Sequence, residues 1–202
     1  MILPRVYPIL DTARRIDLFD AAQALADGGA TLLQIRHKGD WNRDLFATAE
    51  RIAKLNISLI VNDRADIAKM LGCGVHVGQT DPPPAVARAI VGTAAVGYST
   101  HNREQFQAAT AEPIDYLALG PIFHTASKDN PDPVVGLGTL RQLRPLSSRP
   151  LVAIGGITRS NAVAVWNAGA DSLAIIGDLY PEPLIPVTLR NRMEEWRTLA
   201  QS

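Results

Sequence analysis

Short runs of apolar residues recur along the chain, and between them apolar positions return every third or fourth residue. The short runs have the length of strands, and the longer spacing is that of helices with one buried face. Val6–Leu10 is the first strand and ends at Asp11. Asp17 is placed to cap a helix through about Asp27, with Phe19, Ala22, Leu25 and Ala26 at helical spacing; Gly28–Gly29 stop it. Thr31–Arg36 is the second strand, and Trp41 to Lys54 the next helix, with Leu45, Ala49 and Ile52 on one face. Ile57–Asn62 is the third strand, followed by a short helix to Leu71. Val75–Val77 is the fourth, and Pro82–Pro84 then open a helix where a missing N–H is tolerated. Ala94–Tyr98 is the fifth, before a helix from Arg103 to Thr110. The sixth begins at Tyr116 and is ended after Leu119 by Gly120 and Pro121, neither of which continues a ladder well. Leu137–Leu146 is helical, Leu151–Ile154 is the seventh strand, and Ser160–Asn167 is helical again. Leu173–Ile176 is the eighth strand, and Pro186 to Ala200 holds a last amphipathic helix.

Apolar runs without strict alternation mean burial on both faces, as in a parallel sheet. Eight such strands alternating with helices predict a single (β/α)8 TIM barrel spanning residues 1–202. A doubly wound sheet is the alternative, but no GxGxxG follows the first strand.

Composition narrows the classes. A chain of 202 residues with 47% apolar content has material for one sizeable core. Basic and acidic residues number 20 each, so nothing points to nucleic acid or a membrane surface as partner. One cysteine excludes an internal disulfide and a multi-cysteine metal site; between Gly72 and Gly74, Cys73 reads as a packed thiol. No apolar h-region follows basic residues near the N-terminus and no apolar run reaches membrane-spanning length, so a cytoplasmic location is expected. The pattern carries no signature of a particular oligomeric state.

The chemistry collects where the strands end. In parallel barrels the active site forms at the C-terminal ends of the strands. Those ends carry Gln34, Arg36, His37 and Lys38; Asn62 and Asp63; Asp81; Ser99; Thr125, Ser127 and Lys128; Gly155–Gly156; and Gly177. Two hydroxyls and an ammonium within residues 125–128 are equipment for holding a phosphate. The glycines after strands seven and eight offer bare backbone N–H groups to another. Asp63 and Asp81, beside the cations Arg36, Lys38 and Lys128, point to Mg²⁺ held jointly by carboxylates and substrate phosphates. Each residue also has a plainer reading. Asp81 can cap the proline-led helix, Asp63 can serve a turn, and Ser99 can cap the helix after strand five. Arg36 and Lys38 can be a solvated strand exit, and the glycines can serve packing alone. His76, inside a short apolar strand, reads as a hydrogen-bonded core histidine; His37, His101 and His124 show no metal-ligand spacing. Asp11 receives no role.

The segments QIRHK (34–38), NDR (62–64), GVHVGQTD (74–81), GYSTH (97–101), LGPIFHTASK (119–128), AIGGI (153–157) and AGADSLAIIG (168–177) resemble, in order, the motifs of the thiamine-phosphate synthase family. The resemblance implies a Mg²⁺-dependent transferase. It would condense 4-amino-2-methyl-5-hydroxymethylpyrimidine diphosphate with a thiazole phosphate by a dissociative mechanism. It implies that Gln34, Ile35, Arg36, His37, Lys38, Asn62, Ser99 and Lys128 bind the pyrimidine diphosphate, with Arg36, Lys38 and Lys128 assisting its departure. It implies Thr125, Ala126, Ser127, Gly156, Ile176 and Gly177 for the thiazole phosphate, and Asp63 and Asp81 for Mg²⁺. The chain departs from the family at His37, usually acidic; at Gly72–Cys73, usually Ala-Asp; at Ser127, usually threonine; and at Gly177, usually serine. The last change removes a hydroxyl from the thiazole-phosphate site and keeps a backbone N–H. A thiazole tautomerase shares the barrel without needing both carboxylates and the diphosphate-binding lysines. A non-catalytic phosphate-binding barrel is the reading from a different class.

Overall fold

Strands that are apolar on both faces need cover on both, and here they find it by closing on themselves inside a ring of helices. The computed structural model describes residues 3–125 and 132–201. The strands are β1 (Val6–Asp11), β2 (Leu32–Arg36), β3 (Ser58–Asn62), β4 (Gly74–Val77), β5 (Val96–Thr100), β6 (Tyr116–Leu119), β7 (Leu151–Ile154) and β8 (Ser172–Ile175). They form a closed barrel in chain order, all parallel, with β8 returning to β1 through Val6 opposite Leu173. The helices are α1 (Leu18–Asp27), α2 (Arg43–Ile52), α3 (Ala65–Leu71), α4 (Pro84–Val91), α5 (Arg103–Ala109), α6 (Gly136–Leu143), α7 (Ala162–Asn167) and α8 (Pro186–Gln201).

The boundaries follow local chemistry. Asp17 caps α1, accepting from the N–H groups of Phe19 and Asp20. Asn42 caps α2 by accepting from Leu45 N–H, so Trp41 stays outside the helix and packs edge-on to His37. The sixth helix stops at Leu143, and Arg144–Leu146 continue as a 3-10 turn. Pro145 has no N–H to extend the α ladder, which is why the helix is shorter than its apolar pattern. The fifth strand starts two residues late, at Val96, and runs through Ser99 to Thr100, whose hydroxyl donates to Ala118 O. Ser99 is therefore strand, and Asn102 caps α5 instead.

Alternation along the strands sorts side chains into two cores. Leu33, Ile35, Val61, Val75, Leu117 and Ile175 face outward and are buried with Leu25, Ile52, Phe106, Leu140 and Trp196 of the helices. Tyr7, Ile9, Leu32, Ile60, Tyr116, Val152 and Ala174 form the inner core. Each fully buried large apolar side chain contributes about 1.5–3 kcal/mol. Gly28, at the end of α1, lets α8 close the helix ring: a Cβ there would lie 2.7 Å from Arg190 O.

The barrel interior has room for two tyrosines only because Gly97 has no side chain. A Cβ at Gly97 would overlap the Tyr116 ring and lie 2.5 Å from His76 Nδ1. Gly97→Ala is expected to destabilise the fold by about 1–3 kcal/mol, as overpacking does. Chemical denaturation at neutral pH checks this, and a midpoint equal to the parent's contradicts it.

Candidate active site

Inward-facing positions change character along the barrel axis. At the bottom they are apolar: Leu32, Ile60 and Val152. One step up stand Gln34, His76 and Asn62, all buried polar groups, with Ser99 half-buried beside them. At the C-terminal rim come Asp11, Arg36, Lys38, Asp63 and Asp81.

Four of these rim charges are paired. Arg36 Nη1 meets Asp11 Oδ2 at 2.6 Å, and Lys38 Nζ meets Asp63 Oδ2 at 2.5 Å. Asp11, without a role in the sequence reading, is the partner of Arg36. Its N–H donates to the Tyr180 hydroxyl at 2.8 Å, and that hydroxyl donates to Ile9 O. Asp63 has φ of 64°, left-handed backbone in a residue other than glycine. Its N–H is held by His76 O at 2.8 Å, which fixes this turn to β4. Such a conformation costs about 1–3 kcal/mol and persists where surrounding contacts over-determine it.

Asp81 does not cap α4. That helix starts at Pro84 with Pro83 ahead of it, while Asp81 Oδ2 accepts from Gly78 N–H at 2.6 Å within its own loop. Burial raises its proton affinity above the ordinary carboxylate value, and the nearby Asp63 carboxylate raises it further. Among the described residues no three His, Cys, Asp or Glu side chains converge. Two carboxylates without a third protein ligand suit a hard cation that completes its shell with water and phosphate oxygens. The Asn62 Nδ2 group, buried and without a partner, is one further donor at this level.

His76 is a hydrogen-bonded inner residue, as its apolar strand implies. Its Nδ1 is 3.0 Å from the Tyr116 hydroxyl, and its Nε2 is 2.8 Å from Ser99 Oγ. Burial lowers its pKa to about 4, so the ring is neutral at physiological pH. Gln79, in the loop after β4, donates to Ser99 O at 2.6 Å. His101 donates from Nδ1 to Gly120 O at 2.7 Å.

The remaining candidate residues take other positions. The Ile35 side chain is buried in the outer core, so only its backbone faces neighbouring strands and it presents no side chain to the mouth. His37 is committed to a loop: Nε2 donates to Asp40 O at 3.2 Å, leaving Nδ1 to accept from Thr12 Oγ1 at 2.7 Å. Gly156 has φ of 63°, and a Cβ there would lie 2.7 Å from Phe123 Cβ, so its missing side chain admits the loop after β6. Asn161 Nδ2 donates to Gly156 O at 3.1 Å. Gly177 begins a short 3-10 turn after β8 (Gly177–Leu179), beside Ile176, which packs against the inner core. Thr125 lies in the loop after β6, whereas Ala126, Ser127 and Lys128 lie outside the described residues. Cys73 is half-buried at the opposite end of the barrel, lining a cleft of about 550 Å³ with Ser58, Gly74 and Thr93. Burial pushes its thiol up to about 12, which removes it as a nucleophile.

Asp81→Asn tests the electrostatics without a ligand. The amide oxygen can still accept from Gly78, and the repulsion from Asp63 disappears. Because the folded-state pKa of Asp81 is raised, its carboxylate weakens the fold above that pKa and not below the unfolded value. The variant is therefore expected to melt higher than the parent at pH 7 without added metal. The advantage should vanish as pH falls below the ordinary carboxylate range. Melting curves at both pH values check this, and a lower melting temperature at pH 7 contradicts it.

Comparison with known proteins agrees with this architecture. The family profile described as thiamine monophosphate synthase matches residues 6–179. The thiamine-phosphate synthase of Koribacter versatilis is 50% identical over 192 residues, covering 90% of this chain and 91% of that protein. That of Chlorobium phaeovibrioides is 45% identical over 184 residues, covering 87% and 88%. The solved structure of thiamine phosphate pyrophosphorylase from Pyrococcus furiosus superposes with a TM-score of 0.85 at 28% identity, covering 98% of this chain and 95% of that one. A solved structure described as native KDPGal, at TM-score 0.77 and 16% identity, shares the fold alone. The match runs from the first strand to the turn after the last and includes every strand end described above: this chain belongs to the thiamine monophosphate synthase family.

Proposed function

We propose that this transferase joins 4-amino-2-methyl-5-hydroxymethylpyrimidine diphosphate to a thiazole phosphate, giving thiamine phosphate and free diphosphate. The observation that carries the reading is the single rim on which Arg36, Lys38, Asp63 and Asp81 meet above Gln34, Asn62 and Ser99. It rests on family membership for the identity of the two substrates.

In the reaction the bond between the pyrimidine methylene carbon and the diphosphate oxygen breaks. The oxygen keeps the electron pair, and the thiazole nitrogen supplies the pair for the new C–N bond. No protein nucleophile takes part, consistent with the protonated, distant thiol of Cys73. Charge builds on the leaving diphosphate, and the role of meeting it is assigned to Arg36, whose guanidinium is held by Asp11. Lys38 stands beside it on Asp63, and Lys128 is assigned to the same group by its motif. Asp63 and Asp81 would hold Mg²⁺, which when bound supplies positive charge to the phosphate oxygens as the bond breaks. Gln34 and Ser99 orient the pyrimidine. Thr125, Ser127, Ile176 and the turn at Gly177 are assigned to the thiazole phosphate. Gly156 shapes that side of the mouth by admitting the 123–124 backbone. No helix among the described residues is long and apolar enough to cross a membrane, and we place the reaction in the cytoplasm.

The decisive assay supplies both substrates with Mg²⁺ and follows thiamine phosphate and diphosphate. Release of both supports the synthase. Phosphate ligands bound without diphosphate release would return the non-catalytic barrel, and turnover of the thiazole alone the tautomerase.

For Asp81→Asn, the Mg²⁺ concentration giving half-maximal rate is expected to rise about tenfold or more, because a neutral amide is a poor ligand for a hard cation. An unchanged half-saturation point removes Asp81 from the metal site. Asp11→Ala separates orientation from charge. It leaves Arg36 cationic but unheld, so kcat/KM for the pyrimidine diphosphate is expected to fall about tenfold, roughly 1.4 kcal/mol. The KM for the thiazole phosphate should stay near the parent value. Steady-state kinetics varying each substrate in turn reads both, and equal losses toward the two substrates contradict the assignment.

A further inference from the structure

We propose that Gln34, Tyr7, Tyr116, His76 and Ser99 form one directed hydrogen-bond chain that sets what the mouth offers a pyrimidine: an acceptor at Gln34 and a donor at Ser99. The identity of the ligand rests on the function proposed above; the direction of the chain does not.

The direction follows from counting protons. Gln34 Nε2 donates to the Tyr7 hydroxyl at 2.9 Å. A phenol has one proton, so Tyr7, accepting from Gln34, gives its own to the Tyr116 hydroxyl 3.1 Å away. Tyr116 in turn gives its proton to His76 Nδ1 at 3.0 Å. A ring nitrogen that accepts carries no hydrogen, so the neutral imidazole holds its proton on Nε2. That proton is given to Ser99 Oγ at 2.8 Å. The Ser99 oxygen accepts inside the chain, and its own O–H is left to donate to a ligand. At the other end Gln34 turns its NH₂ to Tyr7 and keeps its carbonyl oxygen as the group to offer.

The chain has two settings and no stable mixture of them. Turning the Gln34 amide over reverses every bond to Ser99, which would then present only lone pairs. A partial reversal sets two donors or two acceptors face to face in a buried place, at about 1–3 kcal/mol for each unsatisfied group. Tyr7 and Tyr116 are almost fully buried and His76 is 8% exposed, so water does not relieve the mismatch. Their rings are also locked by packing, Tyr7 edge-on to Tyr116 and His76 stacked on it at 5.5 Å, with Gly97 leaving the space.

An aminopyrimidine brings an NH₂ donor and ring-nitrogen acceptors, which match the observed setting. The analogue with an oxo group in place of the amine brings an acceptor and a ring N–H donor, which match the reversed one. Tyr7, Tyr116 and His76 are thus positioning residues for specificity, acting through Gln34 and Ser99 at a distance from the ligand. A site built to pair a polar group rejects the analogue that leaves its partners unsatisfied.

Nitrogen-15 NMR of ring-labelled histidine in the ligand-free protein at pH 7 reads the direction. His76 is expected to carry its proton on Nε2 with Nδ1 bare, and Tyr116→Phe to convert it to a mixture of tautomers. A proton on Nδ1, a doubly protonated ring, or a tautomer indifferent to Tyr116→Phe overturns the chain. Kinetics read the consequence. With melting curves confirming the folded state, Tyr7→Phe and Tyr116→Phe are each expected to reduce the kcat/KM preference for the amino- over the oxo-pyrimidine diphosphate about tenfold. The KM for the thiazole phosphate should be unchanged. Equal losses on both pyrimidines make the tyrosines merely structural and overturn the specificity role. If the wild type releases diphosphate from neither pyrimidine, the synthase reading fails, and the NMR result still decides the chain.

Discussion

A parallel strand sends alternate side chains to opposite faces, and closing eight of them makes one face an enclosed interior of fixed volume. Everything functional in this chain is arranged within that limit. The outer face can be apolar along its whole length because helices cover it. The inner face has to fill the barrel at the bottom and meet water at the mouth. It does so by a gradient from Leu32, Ile60 and Val152 through Gln34, Asn62 and His76 to Arg36 and Lys38. The volume limit also explains the inner glycines. At Gly74 a Cβ would lie 2.5 Å from Ile60 Cδ1, and Gly97 makes the space in which Tyr116 and His76 meet.

At the rim the charges are organised more for orientation than for stability. Partly exposed ion pairs contribute about 0–1 kcal/mol, so Arg36–Asp11 and Lys38–Asp63 do little to hold the barrel closed. They fix where two cations point before any ligand arrives. The same turn carries Asp63 in left-handed backbone and sets its carboxylate beside Asp81, against the repulsion of like charges. A fold selected for stability alone has no use for that pairing. In the function proposed above, a site that receives cationic metal and anionic phosphate together has a clear one.

The sequence by itself determined the architecture and most of the rim. Eight apolar runs of strand length, each with a helical pattern behind it, leave few alternatives to a barrel, and parity within a strand tells which residues share a face. The cap at Asp17 and the strand ends at Arg36 and Asn62 are local events, decided by residues a few positions apart. Only the tertiary structure decided who meets whom. Tyr7 and Tyr116 are separated by 109 positions, Asp11 and Arg36 by 25, and His76 and Ser99 by 23. Plain local readings of the sequence, Asp81 and Ser99 as helix caps, gave way to contacts inside a loop and across two strands. The space at Gly156 is taken by the 123–124 backbone, which no local pattern shows. The physical reason is that alternation fixes the face of a side chain, while its partner is fixed by the register between strands. That register exists only once all eight have closed.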